Sequence, residues 1–141
     1  MSTETNKAIV RRYLEEVANK GRIDLLEEFL AGEFDSHTNL PPGPEGVKMF
    51  LEVSIAAFPD QQTTIEDVVG EGDKVVVRAT FKATHLGELF GIPPTGRSVS
   101  MPWISIYRLA NGKIVEHWYQ EDKMGLMQQL GVIPEPEGQE L

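Results

Sequence analysis

An Asn111-Gly112 pair between two long runs of alternating residues constrains the fold more than any other feature of the chain. The runs cover residues 98–109 and 113–122. Asn-Gly is the preferred centre of a two-residue hairpin turn, because both residues tolerate a positive φ. Side chains in a strand alternate between its two faces. The sequence therefore predicts an antiparallel hairpin that belongs to a sheet with two different faces.

The pattern of the chain changes near residue 60. Before it, apolar residues recur at helical spacing in three stretches: a first helix that ends at Gly21, a second from Asp24 to Leu30 that ends at Gly32, and a third that starts at Pro44. After it, residues 63–69 and 74–85 alternate as strands do. Helices followed by a meander of strands predict an α+β domain, with the helices on one face of an antiparallel sheet.

Composition excludes several classes of function. The 141 residues carry a net charge of −9 and no cysteine. This charge disfavours nucleic acid and anionic membranes as partners, and the lack of cysteine rules out disulfides and thiol chemistry. No apolar run approaches the ~20 residues of a membrane span. We expect a cytoplasmic protein with one domain, residues 1–133, and an acidic disordered tail, residues 134–141.

Asp122 is the first candidate for a catalytic residue, because it follows Trp118 by four residues, which is two periods of strand alternation. In a regular strand, Glu116, Trp118, Gln120 and Asp122 share one face. A carboxylate in an apolar cavity is driven toward its protonated form and becomes a usable general acid or base. The alternative is that Asp122 ends the strand and caps the following helix.

The register of the hairpin decides which side chains accompany Asp122. A two-residue turn places Trp103, Ser105 and Tyr107 on the face of Trp118, whereas a three-residue loop places Ile104 and Ile106 there. The sequence leaves both registers open at this point.

The three histidines and the glycines do not form a recognisable metal or phosphate motif. His85 ends an apolar row and precedes a Gly- and Pro-rich loop, residues 86–97, which contains Phe90. His37 lies in a short irregular segment, and His117 falls on the strand face opposite Asp122. A metal site would require distant histidines to converge, so we predict none. The Gly70-Glu71-Gly72 turn precedes no helix and is not a phosphate loop.

Four features of the chain point to one family: THLGELFGIPPTGR (residues 84–97), NGKIVEHW (residues 111–118), Asp122 and QQLG (residues 128–131). With them the chain resembles the SnoaL-like polyketide cyclases, also called ester cyclases, of the nuclear-transport-factor-2-like superfamily. The resemblance implies a cone-shaped, curved antiparallel sheet wrapped around the N-terminal helices, with one enclosed apolar pocket. It implies homodimers through the open sheet face. It also implies an intramolecular aldol reaction without metal or cofactor, in which Asp122 removes a proton next to a carbonyl.

The resemblance favours the two-residue register and completes the predicted site. Asp122 is the predicted acid and base for cyclisation or isomerisation of a hydrophobic carbonyl compound, with His85 and Ser105 as hydrogen-bonding partners of the developing enolate. The cyclases carry glutamine and histidine where this chain has Trp103 and Ser105. Two alternatives therefore stay open: binding of a small hydrophobic molecule without catalysis, and hydrolysis of an epoxide or lactone by water between Asp122 and His85. The predicted substrate-binding residues are Trp103, Trp118, His37, Tyr13, Phe50, Phe90 and Gln120.

Overall fold

The computed structural model describes residues 2–134, so the predicted acidic tail lies outside the described residues except for its first position. Within that range no helix is both long and apolar enough to cross a membrane. The helices are α1 (Thr3–Tyr13), continued by a π-helical segment (Leu14–Asn19), a 3₁₀ turn (Ile23–Leu25) leading into α2 (Leu26–Phe29), α3 (Pro44–Ala57) and α4 (Lys123–Gln129). The strands are β1 (Leu30–Asp35), β2 (Gln62–Glu71), β3 (Lys74–Thr84), β4 (Ser98–Ala110) and β5 (Lys113–Glu121).

These strands form one curved, open sheet in the order β1-β5-β4-β3-β2. β2 to β5 are antiparallel neighbours, which confirms the predicted α+β fold, whereas β1 runs parallel to β5 at the edge. The predicted second helix is wrong at its C-terminal end. It stops at Phe29, and Leu30 to Asp35 continue as β1, so Gly32 lies within a strand. The hydrogen bonds between β1 and β5 at the edge of the sheet outweigh the helical propensity of these residues.

The hairpin between β4 and β5 has the predicted two-residue turn but not the regular strand that was expected after it. Ala110 pairs with Lys113, and both turn residues have a positive φ. Further from the turn the register shifts. Leu109 pairs with Ile114, but its neighbour Arg108 pairs with Glu116. Val115 is therefore an extra residue, a β-bulge. A bulge moves every later side chain to the other face.

The bulge decides which residues of β5 face the interior. His117, Tyr119 and Glu121 pair with the buried row of β4, whereas Trp118 and Gln120 pair with Ile106 and Ile104. The latter two residues belong to the outer face, where Ile104 is 49% exposed. The prediction that Trp118 shares a cavity wall with Trp103 is therefore wrong, although the predicted turn is correct.

Helices α1 and α3 cover the inner face of the sheet. Ser2 caps α1 by accepting a hydrogen bond from the Thr5 N–H group. The helical spacing of α1 and its π continuation directs one apolar stripe inward. Pro44 begins α3, where its missing N–H group costs nothing. Phe50 was predicted on the buried face of α3 but is 47% exposed. The buried stripes of these two helices consist of Val10, Tyr13, Leu14, Val17, Val47, Leu51 and Ala57.

Candidate active site

Five aromatic side chains form a continuous row on the inner side of the sheet, four of them from β4 and β5 and one from α1. We call Tyr13, Trp103, Tyr107, His117 and Tyr119 the inner aromatic row. Ring centres are 6.3 Å apart for Tyr13 and Tyr107, 5.8 Å for Tyr107 and His117, 6.3 Å for His117 and Tyr119, and 5.4 Å for Tyr119 and Trp103. The alternation of two neighbouring strands produces this row, since the paired residues of β4 and β5 face the same side.

Three members of the row carry polar groups without a partner. The Tyr13 hydroxyl, the Trp103 indole N–H and the His117 ring nitrogens form no hydrogen bond with any residue between 2 and 134. Their polar atoms are nevertheless not sealed from solvent, in contrast to the buried, unpaired atoms of Asn6 and His85. Because these polar atoms of the row reach solvent, they bond water in the free protein, and a ligand that displaces the water can bond them instead.

Burial sets the charge state of the row. Burial, reinforced by the neighbouring His37, lowers the pKa of His117 from 6.5 to about 4, against a smaller opposing effect of Asp35. His117 is therefore neutral at pH 7 and offers one N–H donor and one lone pair. Burial also raises the pKa of Tyr13, Tyr107 and Tyr119, so these phenols keep their protons.

Two carboxylates stand at the end of β5, one on each side of the strand terminus. Glu121 pairs with Trp103 on the inner face and accepts a hydrogen bond of 2.9 Å from the Tyr119 hydroxyl. Asp122 follows it, outside the strand, and its backbone N–H group bonds the Pro102 carbonyl. The inward-facing carboxylate of the strand end is therefore Glu121.

Asp122 is exposed and caps α4. Its Oδ1 accepts a 2.9 Å hydrogen bond from the Gly125 N–H group. The other carboxylate oxygen, Oδ2, lies so close to Gly125 that a Cβ there would collide with it, which explains the glycine. The cap fixes the orientation of the carboxylate and leaves Oδ2 without a hydrogen bond from the described residues. The two interpretations of Asp122, cap and proton acceptor, are thus compatible in this geometry.

The two predicted hydrogen-bonding partners of the enolate are engaged elsewhere. Ser105 is fully buried, and its hydroxyl donates a 3.0 Å hydrogen bond to the Trp118 carbonyl. His85 adjoins Arg97, five residues along β4 from the Pro102 that binds Asp122. At ~3.3 Å per residue this separation is about 16 Å. The prediction that His85 and Asp122 hold one water between them is therefore wrong.

Three predicted substrate-binding residues lie on the outer side of the sheet. Trp118 and Gln120 are there because of the bulge. The ring of His37 stacks on Trp118 with centres 4.8 Å apart and bonds Glu116, also on the outer face. Their assignment to an interior pocket is wrong. Phe90 is 76% exposed at the tip of the loop that precedes β4, and it has a positive φ.

The nearest approach to a metal-ligand set is on this outer side. Ligand atoms of Asp35, His37 and Glu116 lie within 4.8 Å of one another. Glu116 is already bonded by the guanidinium of Arg108 and by His37 at 2.7 Å, and these contacts lower its pKa. We assign this group to an ion-pair network, because a positive guanidinium at the carboxylate opposes binding of a cation.

Two cavities are open to the surface, and neither is the predicted enclosed apolar pocket. The larger, about 460 Å³, lies between the end of β3 and the start of β4, beside Gln129. The smaller, about 270 Å³, lies between the end of the π-helical segment and Gln61. Neither is lined by Asp122 or by a member of the inner aromatic row. The unpaired polar groups of the row, rather than these grooves, mark the interior as the candidate site.

Comparison with known proteins then identifies the family. The family model for SnoaL-like polyketide cyclases matches residues 8–130. The chain belongs to this family.

Named relatives support the same assignment over nearly the whole chain. The aklanonic acid methyl ester cyclase DnrD of Streptomyces peucetius is 33% identical over 146 residues, which cover 98% of this chain and 98% of the relative. The nogalonic acid methyl ester cyclase of Streptomyces nogalater is 30% identical and covers 85% of this chain and 94% of its own. The chain is therefore similar to cyclases along its full described length.

Solved structures agree with the fold. TsrD from Streptomyces laurentii superposes with a TM-score of 0.87 at 29% identity, covering 94% of this chain and 99% of that one. A SnoaL-like polyketide cyclase from Agrobacterium tumefaciens has a TM-score of 0.78 at 26% identity, covering 93% and 100%. The curved sheet with its covering helices is thus shared with known members of the family.

Sequence reasoning did not identify His117, Tyr119 and Glu121 as interior residues. The alternation in residues 113–122 is equally regular on both faces, so one inserted residue reverses the assignment. The only local signal is the pair Ile114 and Glu116. Strict alternation would place both on one face, but Ile114 is buried on the inner face and the charged Glu116 lies on the outer face beyond the bulge.

Proposed function

We propose that this protein is a cofactor-free cyclase that closes a ring in a polyketide-like substrate by intramolecular aldol reaction. The observation that carries this proposal is the similarity to methyl ester cyclases over nearly the whole chain. The unpaired polar groups of the inner aromatic row support it, because an apolar wall with a few hydrogen-bonding groups suits a hydrophobic carbonyl compound.

The reaction needs one group that accepts a proton and later gives it back. Asp122 Oδ2 removes a proton from the carbon next to one carbonyl, and an enolate forms. The enolate carbon attacks a second carbonyl carbon of the same molecule, so a C–C bond forms and the attacked oxygen becomes an alkoxide. The alkoxide takes up the proton. The product is an isomer of the substrate, and no redox step or cofactor is involved.

The surroundings of Asp122 support its role as the acceptor. The Gly125 N–H group holds Oδ1, so the orientation of the carboxylate is fixed before a substrate binds. Oδ2 remains open. A hydrophobic substrate that covers the exposed carboxylate excludes water from the site of proton transfer.

Replacement of the carboxylate tests this role. Asp122→Asn keeps the oxygen that caps α4, since asparagine is as good a cap as aspartate, but it cannot accept the proton. We expect a fall in ring closure of at least about 100-fold, with the melting temperature unchanged. The assay follows cyclisation of aklanonic and nogalonic acid methyl esters and related keto esters by chromatography.

Asp60→Asn is the matched control. Asp60 is an exposed carboxylate bonded to the Thr84 N–H and hydroxyl groups, which lower its pKa, and it lies away from the inner aromatic row. It should leave cyclisation unchanged. If Asp122→Asn turns over as fast as wild type, Asp122 is only a cap. If the esters bind but none is cyclised, binding of a small apolar ligand without catalysis is the better interpretation.

We also propose that the protein forms a homodimer through the outer face of the sheet. Val69, Val76, Ile106 and Trp118 are neighbours on successive strands of this face, and Ile104 adjoins them. Val69 and Ile104 are 61% and 49% exposed. Contiguous exposed apolar surface of this kind is typical of an interface.

The dimer is tested by light scattering at tens of micromolar protein. We expect twice the chain mass for wild type and the single mass for Ile104→Lys, because a charge in an apolar interface is costly. Arg11→Glu changes an exposed residue of α1, on the opposite side of the sheet, and should remain dimeric. A wild-type monomer contradicts the proposal.

We place the protein in the cytoplasm, in keeping with its acidic and cysteine-free composition. Fractionation of the native cells with an antibody against the chain checks this, and recovery mainly from an extracytoplasmic fraction contradicts it.

A further inference from the structure

Gly125 is a glycine inside a helix whose backbone does not need one. It lies within α4, and its φ is not positive, in contrast to Gly131 just after the helix, where φ is 79°. A glycine within a helix lowers the stability of that helix relative to alanine, because glycine loses more backbone freedom on folding. The reason for Gly125 therefore lies in a side chain beside it.

That side chain is Asp122. A Cβ atom at position 125 would lie 2.7 Å from Asp122 Cγ and 3.1 Å from Oδ1, and it would overlap Oδ2. These three atoms are its nearest neighbours. Carbon and oxygen atoms that are not bonded keep about 3.5 Å apart, so a larger residue at this position must displace the carboxylate by roughly 1 Å. The space left by the missing side chain is occupied by the Asp122 carboxylate.

Capping of the helix does not require this arrangement. Asp122 accepts a 2.9 Å hydrogen bond from the Gly125 N–H group, which is the usual bond between an N-cap residue and the third residue of its helix. Ordinary caps form this bond with large residues at the third position, glutamate among them. An aspartate can therefore cap α4 in a different orientation without a glycine. Gly125 is needed for the orientation that the carboxylate has, and not for the cap.

We propose that Gly125 is a positioning residue for Asp122, which admits the one orientation of the carboxylate in which Oδ1 caps α4 and Oδ2 faces the proton to be removed. This inference rests on the proposed role of Asp122 and adds the residue that directs it. Residues 2–134 give Oδ2 no hydrogen bond, so its position depends on the Oδ1 bond and on the room beside Gly125. A displacement of about 1 Å at a reacting group costs on the order of 100-fold in rate.

Gly125→Ala separates positioning from stability. Alanine is favoured over glycine in a helix and offsets the cost of moving the carboxylate, so we expect a melting temperature within about 3 °C of wild type. Cyclisation of the keto esters should nevertheless fall by about 10- to 100-fold. The fall should appear in kcat, with KM changed less than about threefold, because the proton acceptor has moved and the surface that binds the substrate has not.

Crystal structures of wild type and Gly125→Ala give a measurement that needs no substrate. We expect Oδ2 to be displaced by roughly 1 Å or more in the variant. Gly32→Ala is the matched control, since its φ is not positive and a Cβ atom there would meet no atom within 4 Å. This control should leave both the rate of cyclisation and the position of the Asp122 carboxylate unchanged.

Two results would overturn the inference. One is an unmoved carboxylate in the crystal structure of Gly125→Ala. The other is wild-type turnover by Gly125→Ala when Asp122→Asn is inactive, and this result leaves the proposed function intact. Failure of the proposed function is distinguishable, because Asp122→Asn is then as active as wild type whatever Gly125→Ala does. If wild type cyclises none of the esters, the crystal structures alone decide, and a displaced carboxylate supports the steric role of Gly125.

Discussion

Two histidines of this protein, the buried His85 and the half-buried His117, show opposite uses of the same side chain. His85 is fully buried, and its Nδ1 accepts a hydrogen bond of 3.2 Å from the Thr95 N–H group. It therefore fastens the loop that leads into β4. His117 lies half-buried among aromatic rings and has no partner among residues 2–134. His85 is thus held by the backbone through Nδ1, although its buried Nε2 has no partner among the described residues, whereas the ring nitrogens of His117 reach solvent.

The difference between them originates in the backbone. His85 ends β3 and forms two backbone hydrogen bonds with the loop, one to Arg97 and one from Gly96. These bonds hold the C-terminal end of the loop beside His85. His117 lies on β5 just after the bulge at Val115, which turns it inward against Phe34. Sequence reasoning treated His85 as a catalytic candidate and left His117 out of the site, whereas the structure buries His85 against its own loop and places His117 on the inner face of the sheet.

Deletion of Val115 tests the bulge behind this comparison. Without the extra residue Ile114 and Glu116 become neighbours, and they already pair with the neighbours Leu109 and Arg108, so the hairpin becomes regular and His117 stays inward. We expect cooperative folding, with a free energy of unfolding lowered by no more than about 3 kcal/mol. Urea unfolding followed by circular dichroism measures it. Val115→Ala keeps the residue count and the bulge, and it is the control. A deletion variant that does not fold contradicts the bulge.

Acid pH should reveal the burial of His117. Its pKa is about 4 in the folded chain and 6.5 ordinarily. As the pH falls from 6.5 to 4, the unfolded chain binds the proton first, so stability decreases over this window and this contribution levels off below it. The expected loss is up to about 3 kcal/mol.

The variant His117→Phe supplies the reference for this measurement. It cannot titrate at that position, so its stability should depend less on pH by the same amount between pH 7 and pH 4. Comparison with wild type cancels the contributions of the nearby Asp35, His37, Tyr107 and Tyr119. Parallel pH profiles for the two proteins would show that His117 is not desolvated.

The same substitution at the two histidines should give the smallest effect but the sharpest contrast. His85→Phe removes the acceptor of the Thr95 N–H group, and an unpaired buried donor costs about 2 kcal/mol. His117→Phe removes no hydrogen bond and should cost less than about 0.5 kcal/mol at pH 7. Urea denaturation at pH 7 compares them. Limited proteolysis should cut the 86–97 loop faster in His85→Phe alone. Equal destabilisation of the two variants would contradict their assigned roles.

The sequence by itself determined the order of the elements, the turn at Asn111-Gly112 and the family. Helical spacing, strict alternation and turn chemistry are local properties, so they can be read from neighbouring residues. The resemblance of residues 84–97 to the family rests likewise on a contiguous stretch, and the matched family model confirms it. Asp122 as a candidate also followed from the sequence, although its role stays a prediction.

Only the tertiary structure decided which side chains face the interior. The two faces of β5 carry similar mixtures of aromatic and polar residues, so neither register is favoured by the hydrophobic pattern alone. The choice depends on the fit of β5 between β4 and the parallel edge strand β1, where Leu30 pairs with Ile114 and Asp35 with Glu116. This pairing spans 80 residues of sequence or more. Pairing at such a distance brings His117 and Trp103 to one wall and takes Trp118 to the other face, and no local pattern contains that information.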